Sequence, residues 1–217
     1  MTAIPDAEPC RLYLTTPPEL VSGGVLLRDF LARLEQALDI ADIACLLIAA
    51  PDSVGDQDLA LIAQPLVRAA QMRDTAALLS GRPALAKTLG ADGVHLDLPA
   101  LSADEALRAY RGPRKALGED AIVGALVPPE RHAAMELAEA GADYIGFDVA
   151  AADATDLIAW WGEVMTVPCI AFGRFDAVSA AVFARSGADF IAPAPEIWSR
   201  ADPAVELAAL EKAIRAG

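Results

Sequence analysis

His95 and Asp97 lie two residues apart in the apolar run Gly93-Val94-His95-Leu96-Asp97. In a strand this spacing points both side chains to one face. Asp148, at the end of Tyr144-Ile145-Gly146-Phe147-Asp148, supplies a second carboxylate at an equivalent place. Two acids at the ends of the expected fourth and sixth strands could hold a divalent cation or act as general acid and base. A second chemistry is anion binding: in Phe172-Gly173-Arg174-Phe175 a glycine permits close approach and an arginine can pair with a phosphate ester. Gly173 as an ordinary turn residue and Arg174 as a solvated charge is the plainer alternative. Pro193-Ala194-Pro195-Glu196, next along the chain, removes an N–H donor and adds a repelling carboxylate. His132 belongs to a helical stretch and is expected to face solvent. Cys10, Cys45 and Cys169 share no ligand spacing and read as buried or structural thiols.

Such residues act together only if the elements carrying them converge, and the chain has a period that says how. Ala-Asp opens a hydrophobic run at Ala41-Asp42, Ala91-Asp92, Ala142-Asp143 and Ala188-Asp189, with Asp-to-Asp steps of 50, 51 and 46 residues. In three copies a glycine precedes the pair. Glycine can end a helix in the left-handed conformation, and aspartate suits the turn before a strand. Each step is two βα units, so the device marks every second strand of eight.

Strands are expected at 11–16, 44–50, 76–80, 93–97, 122–127, 144–149, 168–172 and 190–194. Helices are expected at 25–38, 57–72 with a kink at Pro65, 83–89, 102–110, 128–141, 156–163, 176–186 and 203–215. Gly112-Pro113 is expected to end the fourth helix, which a Ser102/Glu105 capping box opens. Continuous apolar strands such as Ala44 to Ile48 suit a parallel sheet covered by helices. An open doubly wound sheet shares that pattern. The double-unit period, and the lack of a Gly-x-Gly-x-x-Gly turn after the first strand, favour a single-domain α/β TIM (β/α)8 barrel over residues 1–217, with 1–10 as an N-terminal extension. In a barrel the chemistry lies at the C-terminal strand ends, so the four Ala-Asp aspartates read as structural.

With 31 acids against 17 bases the formal charge is −14, which repels nucleic-acid phosphates. Hydrophobic residues make up 55% of the chain, yet no uninterrupted apolar run is long enough to span a membrane. The first residues lack the basic and apolar regions of a signal peptide, so a cytoplasmic protein is expected. Two histidines leave no basis for a histidine-rich metal centre.

The chain resembles the thiamine phosphate synthase and thiazole tautomerase superfamily. The resemblance rests on Arg11-Leu12-Tyr13-Leu14-Thr15-Thr16, on Leu89-Gly90-Ala91-Asp92-Gly93-Val94-His95-Leu96, on Ala140 to Gly146, on Val167 to Gly173, and on Ser186-Gly187-Ala188-Asp189. It implies a Mg²⁺-assisted transfer in which hydroxymethylpyrimidine diphosphate loses pyrophosphate and is captured by a thiazole phosphate. It also implies Gly173 and Arg174 on the thiazole-type phosphate, Arg82 on the diphosphate, His95 as a positioning group, and Asp97 in a metal or acid–base role.

The chain departs from the family's pattern at several places. The family's Gln-x-Arg-x-Lys on the second strand is replaced by Cys45 to Ala50, and the Asn-Asp before Arg82 by Ser80-Gly81. Gly-Gln-x-Asp after His95-Leu96 becomes Asp97-Leu98-Pro99-Ala100, and Ser-x-His after Gly124 becomes Ala125 to Pro129. Two functions therefore stand side by side: an enzyme of the family's type, or a non-catalytic paralogue that binds a small phosphorylated ligand or a partner protein. A homo-oligomer in which a neighbouring copy completes the site is a third element left open.

Overall fold

The computed structural model describes residues 9–23 and 25–216. Eight parallel strands close in sequence order into a barrel. They are β1 (Arg11–Thr15), β2 (Ile43–Ile48), β3 (Ala76–Ser80), β4 (Gly93–Asp97), β5 (Ile122–Leu126), β6 (Ile145–Asp148), β7 (Cys169–Gly173) and β8 (Phe190–Pro193). The helices are α1 (Glu19–Ser22), α2 (Leu27–Ile40), α3 (Asp56–Gln71), α4 (Pro83–Leu89), α5 (Ala103–Leu117), α6 (Arg131–Glu139), α7 (Ala154–Val164), α8 (Ala177–Arg185) and α9 (Pro203–Arg215). A 3₁₀ turn, Pro195–Ser199, stands between β8 and α9. Of the expected N-terminal extension, residues 1–8 lie outside the described residues.

Three expectations need correction. Neither α1 nor the 3₁₀ turn was foreseen. Nor does Gly112-Pro113 end α5, which runs on to Leu117. Arg114 accounts for the continuation: its Nη1 donates to the carbonyls of Gly118 and Ala121 at 2.9 Å, and its Nε to the Tyr110 hydroxyl at 3.0 Å. The side chain thus satisfies carbonyls at the far end and ties the turn after Pro113 to the turn before it. α3 likewise passes unbroken through Pro65, and α2 begins two residues later than expected because Leu26 is extended.

The Ala-Asp period has a physical meaning. Asp92, Asp143 and Asp189 each accept a backbone N–H at 2.7 Å, from Ala77, Val123 and Cys169 respectively. Each also donates its own N–H back to the carbonyl of that same residue, at 2.9 to 3.1 Å. An aspartate before β4, β6 and β8 therefore clasps the start of the odd strand before it, closing donors that the ladder leaves open at the barrel's N-terminal end. Asp42 departs from this use and takes Arg11 and Arg215 as ion partners instead.

Two apolar regions result. Leu12, Leu14, Leu46, Ile48, Val94, Val123, Ile145 and Ile191 face outward under the helices, where they are fully buried. Tyr13, Cys45, Leu47, Leu78, Tyr144, Ile170 and Ala192 fill the inside of the barrel.

Candidate functional site

The strand registers, with side chains alternating in and out, sort the interior into layers of four from alternate strands. Tyr13, Leu78, Gly124 and Ile170 form one layer. Above it lie Leu47, His95, Gly146 and Ala192, and above these Thr15, Ser80, Leu126 and Phe172. Asp97 and Asp148 reach the rim together, and the same alternation carried past the ends of β2 and β8 puts Ala49 and Ala194 at their level. The shared face expected of His95 and Asp97 is thus the inward one.

His95 is only 4% exposed. Its Nδ1 is 2.7 Å from the Tyr144 hydroxyl, which is in turn 3.0 Å from the hydroxyl of Tyr13. The imidazole lies nearly parallel to the Tyr144 ring, and Phe172 covers it at 5.3 Å between centroids. Burial lowers the His95 pKa to about 3, so the ring is neutral at physiological pH. Burial also pushes both tyrosine hydroxyls well above their ordinary range, so both stay protonated. Two glycines make the aromatic cluster possible. A Cβ on Gly124 would come within 2.3 Å of the Tyr144 ring, and one on Gly146 within 2.6 Å of Phe172.

At the rim, Asp97 is exposed, and desolvation by the barrel wall pushes its carboxyl above the usual carboxylate range. Asp148 turns to its own loop, where Oδ1 accepts the Ala150 N–H at 2.8 Å. Among the described residues no three His, Cys, Asp or Glu side chains converge as metal ligands. Mg²⁺ needs only one or two carboxylates when substrate phosphates supply the rest, but those phosphates then need cationic partners. The two arginines named for that work are differently placed.

Arg82 has a left-handed backbone (φ +52°) and a side chain only 14% exposed. Its Nη2 donates to the carbonyls of Pro51 and Val54 at 2.9 and 2.8 Å, and Nε lies 3.6 Å from Asp56. It straps the β2–α3 loop to the β3–α4 turn. Arg174 is 82% exposed and meets Glu196 at 2.6 Å. Gly173 packs tightly: a Cβ there would meet Val149 Cγ2 at 2.2 Å. Around Arg174, a cavity of about 380 Å³ opens between the β7–α8 loop, the 3₁₀ turn and α9, lined also by Phe175, Ala194, Ile197, Arg200 and Leu210. The N-terminus of α8 is already closed by Asp176, whose carboxylate accepts the Ser179 N–H at 2.8 Å.

Arg174 thus lines this cavity while Gly173, packed against Val149, does not; His95 and Asp97 share one face of β4, and Arg82 joins neither place. Tyr13, Tyr144 and Phe172 escaped notice in the sequence because they sit on strands far apart in the chain; glycines at the inward positions 124 and 146 are the signal that could have found them. His132 faces solvent beside Glu136, as expected. Cys45 and Cys169 are buried free thiols.

These features define a single-domain (β/α)8 barrel with an aromatic–histidine interior and two carboxylates at its C-terminal rim. The family model for thiamine monophosphate synthase matches residues 12–197. The thiamine-phosphate synthase of Rhodospirillum centenum is 35% identical, with 95% of this chain and 98% of the relative covered. That of Erythrobacter litoralis is 34% identical over 88% of this chain and 89% of its own. Among solved structures, a thiamine phosphate pyrophosphorylase from Pyrococcus furiosus superposes with a TM-score of 0.74 at 20% identity, covering 94% of this chain and 95% of its own, and so shares the fold. The chain belongs to the thiamine monophosphate synthase family. Among the described residues, no helix is long and apolar enough to cross a membrane.

Proposed function

We propose that this chain is a thiamine phosphate synthase-type barrel that holds a small phosphorylated ligand at its mouth without carrying the Mg²⁺-assisted joining of hydroxymethylpyrimidine diphosphate to thiazole phosphate. The observation that carries this is the composition of the rim level: two carboxylates and two methyl groups, with no free cation at that level among the described residues. A diphosphate leaving group concentrates negative charge that Mg²⁺ and basic side chains normally offset. Here desolvation raises the Asp97 carboxyl above its ordinary range, Asp148 Oδ1 accepts an N–H of its own loop, and Arg82 Nη2 is held by backbone carbonyls. The donor set does not fit a magnesium–diphosphate pair.

The phosphate ester itself belongs in the cavity beside Arg174. The Arg174–Glu196 pair is exposed, and such pairs contribute about 0–1 kcal/mol. A dianionic phosphate can therefore draw Arg174 away from Glu196 at little cost. The expected outcomes are no thiamine phosphate from purified protein supplied with Mg²⁺ and both substrates, and a rise in melting temperature with thiazole phosphate that plain phosphate does not match. Robust turnover overturns the proposal. Arg174→Ala should abolish the thermal shift; a shift that survives removes Arg174 from the site.

The second reading is the synthase activity itself, favoured by 35% identity along 95% of the chain to a relative bearing that name. It would give Asp97 the metal or acid–base role and His95 the positioning role. The same turnover assay decides between the two.

A further inference from the structure

Inside the barrel, three buried side chains form one line of hydrogen bonds, Tyr13 to Tyr144 to His95. Neither hydroxyl has a further nitrogen or oxygen partner among the described residues. Beyond Tyr13 stands only Cys45, its register neighbour on β2, whose thiol is a weak donor and a weak acceptor. The ring is neutral, so it carries a proton on one nitrogen and accepts at the other.

The protons of this line can run in two directions. With the ring proton on Nδ1, His95 would donate to Tyr144 and Tyr144 to Tyr13. The Tyr13 hydroxyl would then be a buried donor with nothing better than a thiol to meet, which forfeits its desolvation. With the ring proton on Nε2, Tyr13 donates to Tyr144 and Tyr144 donates to Nδ1. Each phenol proton now meets a strong acceptor, and the two bonds polarise each other in one sense.

Nε2 has room for a proton. It has no protein partner among the described residues, yet it is not one of the sealed, partnerless side-chain atoms, which are Arg82 Nη1 and Glu136 Oε2. It therefore borders space that water or a ligand group can enter.

We propose that Tyr144, backed by Tyr13, is a positioning residue that holds His95 as the Nε2–H tautomer, so that the barrel interior offers an uncharged N–H donor. Such a donor recognises an acceptor atom without a proton of its own, a ring nitrogen or a carbonyl or ether oxygen, and excludes a cation. That use of the N–H rests on the mouth holding a ligand; the tautomer does not.

Nitrogen-15 spectroscopy of the histidine ring in the ligand-free full chain reads the tautomer, independently of any phosphate binding. His132→Gln, at an exposed position on α6, leaves His95 as the single histidine. The expected spectrum has two widely separated ring resonances from about pH 5 to 8, with the proton on Nε2 and Nδ1 as the acceptor. In D₂O the Nε2 proton should be lost before the first spectrum. Tyr144→Phe keeps an aromatic ring against His95 but removes the donated proton, so the two resonances should move toward each other as both tautomers become populated. Tyr13→Phe should shift Nδ1 alone, toward the position of a weaker hydrogen bond. A proton on Nδ1 in the parent, or equal occupancy of the two nitrogens, overturns the proposal even if neither tyrosine variant folds. So does an Nε2 proton protected as long as the β4 amides, or a Tyr144→Phe ring spectrum identical with the parent's, which would leave Tyr144 a packing residue.

Discussion

A histidine kept neutral inside an aromatic cluster ties stability to pH with a definite sign. The His95 pKa is lowered to about 3 in the folded chain, against about 6.5 when unfolded. Between these values the unfolded state binds a proton that the folded state refuses. Stability is therefore unaffected by this group above about pH 6.5 and falls as pH drops below it, by about 1.4 kcal/mol per unit, until about pH 3. Urea unfolding at a series of pH values should show that slope, and His95→Gln should flatten it relative to the parent; an identical slope in the variant would mean that His95 is not the group. Gly124→Ala is a test of the space that admits Tyr144. With its Cβ 2.3 Å from the ring, overpacking of about 1–3 kcal/mol is expected, read as a lower urea midpoint. That His95 and Asp97 share a face was legible from strand parity alone; that the face is the inward one was not. The hydroxyl partners were not, because Tyr13 and Tyr144 meet only once the ring is closed.

The repeating Ala-Asp unit was the clearest signal of the fold, and its function as a clasp is an element-scale property. One carboxylate closes an N–H at the foot of each of three odd strands. Asp189→Ala leaves the Cys169 N–H without its partner in a part-buried setting and is expected to cost about 1–3 kcal/mol. Asp189→Asn keeps an acceptor oxygen and should cost clearly less; equal losses would point to charge rather than the hydrogen bond. Asp143 adds an ion pair with Arg114 to its clasp of Val123. Arg114 in turn holds the end of α5, so Arg114→Ala and Asp143→Ala should be non-additive in a double-mutant cycle. Strand number was readable from spacing, and β3, α4, β4 and α9 begin and end where spacing put them. The end of α5 was not readable, because a proline's tendency to stop a helix was offset by an arginine reaching carbonyls beyond the helix end. The 3₁₀ turn was equally hidden. It is held by Trp198 Nε1 donating to the Thr15 carbonyl at 2.8 Å and by Arg33 donating to the Trp198 carbonyl at 2.9 Å, both contacts across the full length of the chain.

At the scale of the molecule, the barrel follows from arithmetic on a repeat, whereas the state of its mouth depends on where each cation finds a partner. Arg82 and Arg174 look alike in sequence, yet one is buried with its Nη2 on backbone carbonyls and its Nη1 unpartnered, and the other stands in solvent. The surplus of acid has a consequence that no single contact carries. With 31 acids and 17 bases, the folded chain concentrates a charge of −14 that the expanded chain spreads out. The described ion pairs act in the opposite direction, but several are solvent-exposed and such pairs contribute about 0–1 kcal/mol each. Salt screens both. The Debye length shortens from about 30 Å at 0.01 M to about 10 Å at 0.1 M, so long-range repulsion is relieved before contacts at 3 to 4 Å are much weakened. The melting temperature should therefore rise as sodium chloride is raised from about 0.01 to 0.1 M at neutral pH, and a neutralising change such as Glu119→Gln on the exposed acidic surface should reduce that rise. A melting temperature that falls over the same range would mean that local ion pairs outweigh the net charge in holding the barrel closed.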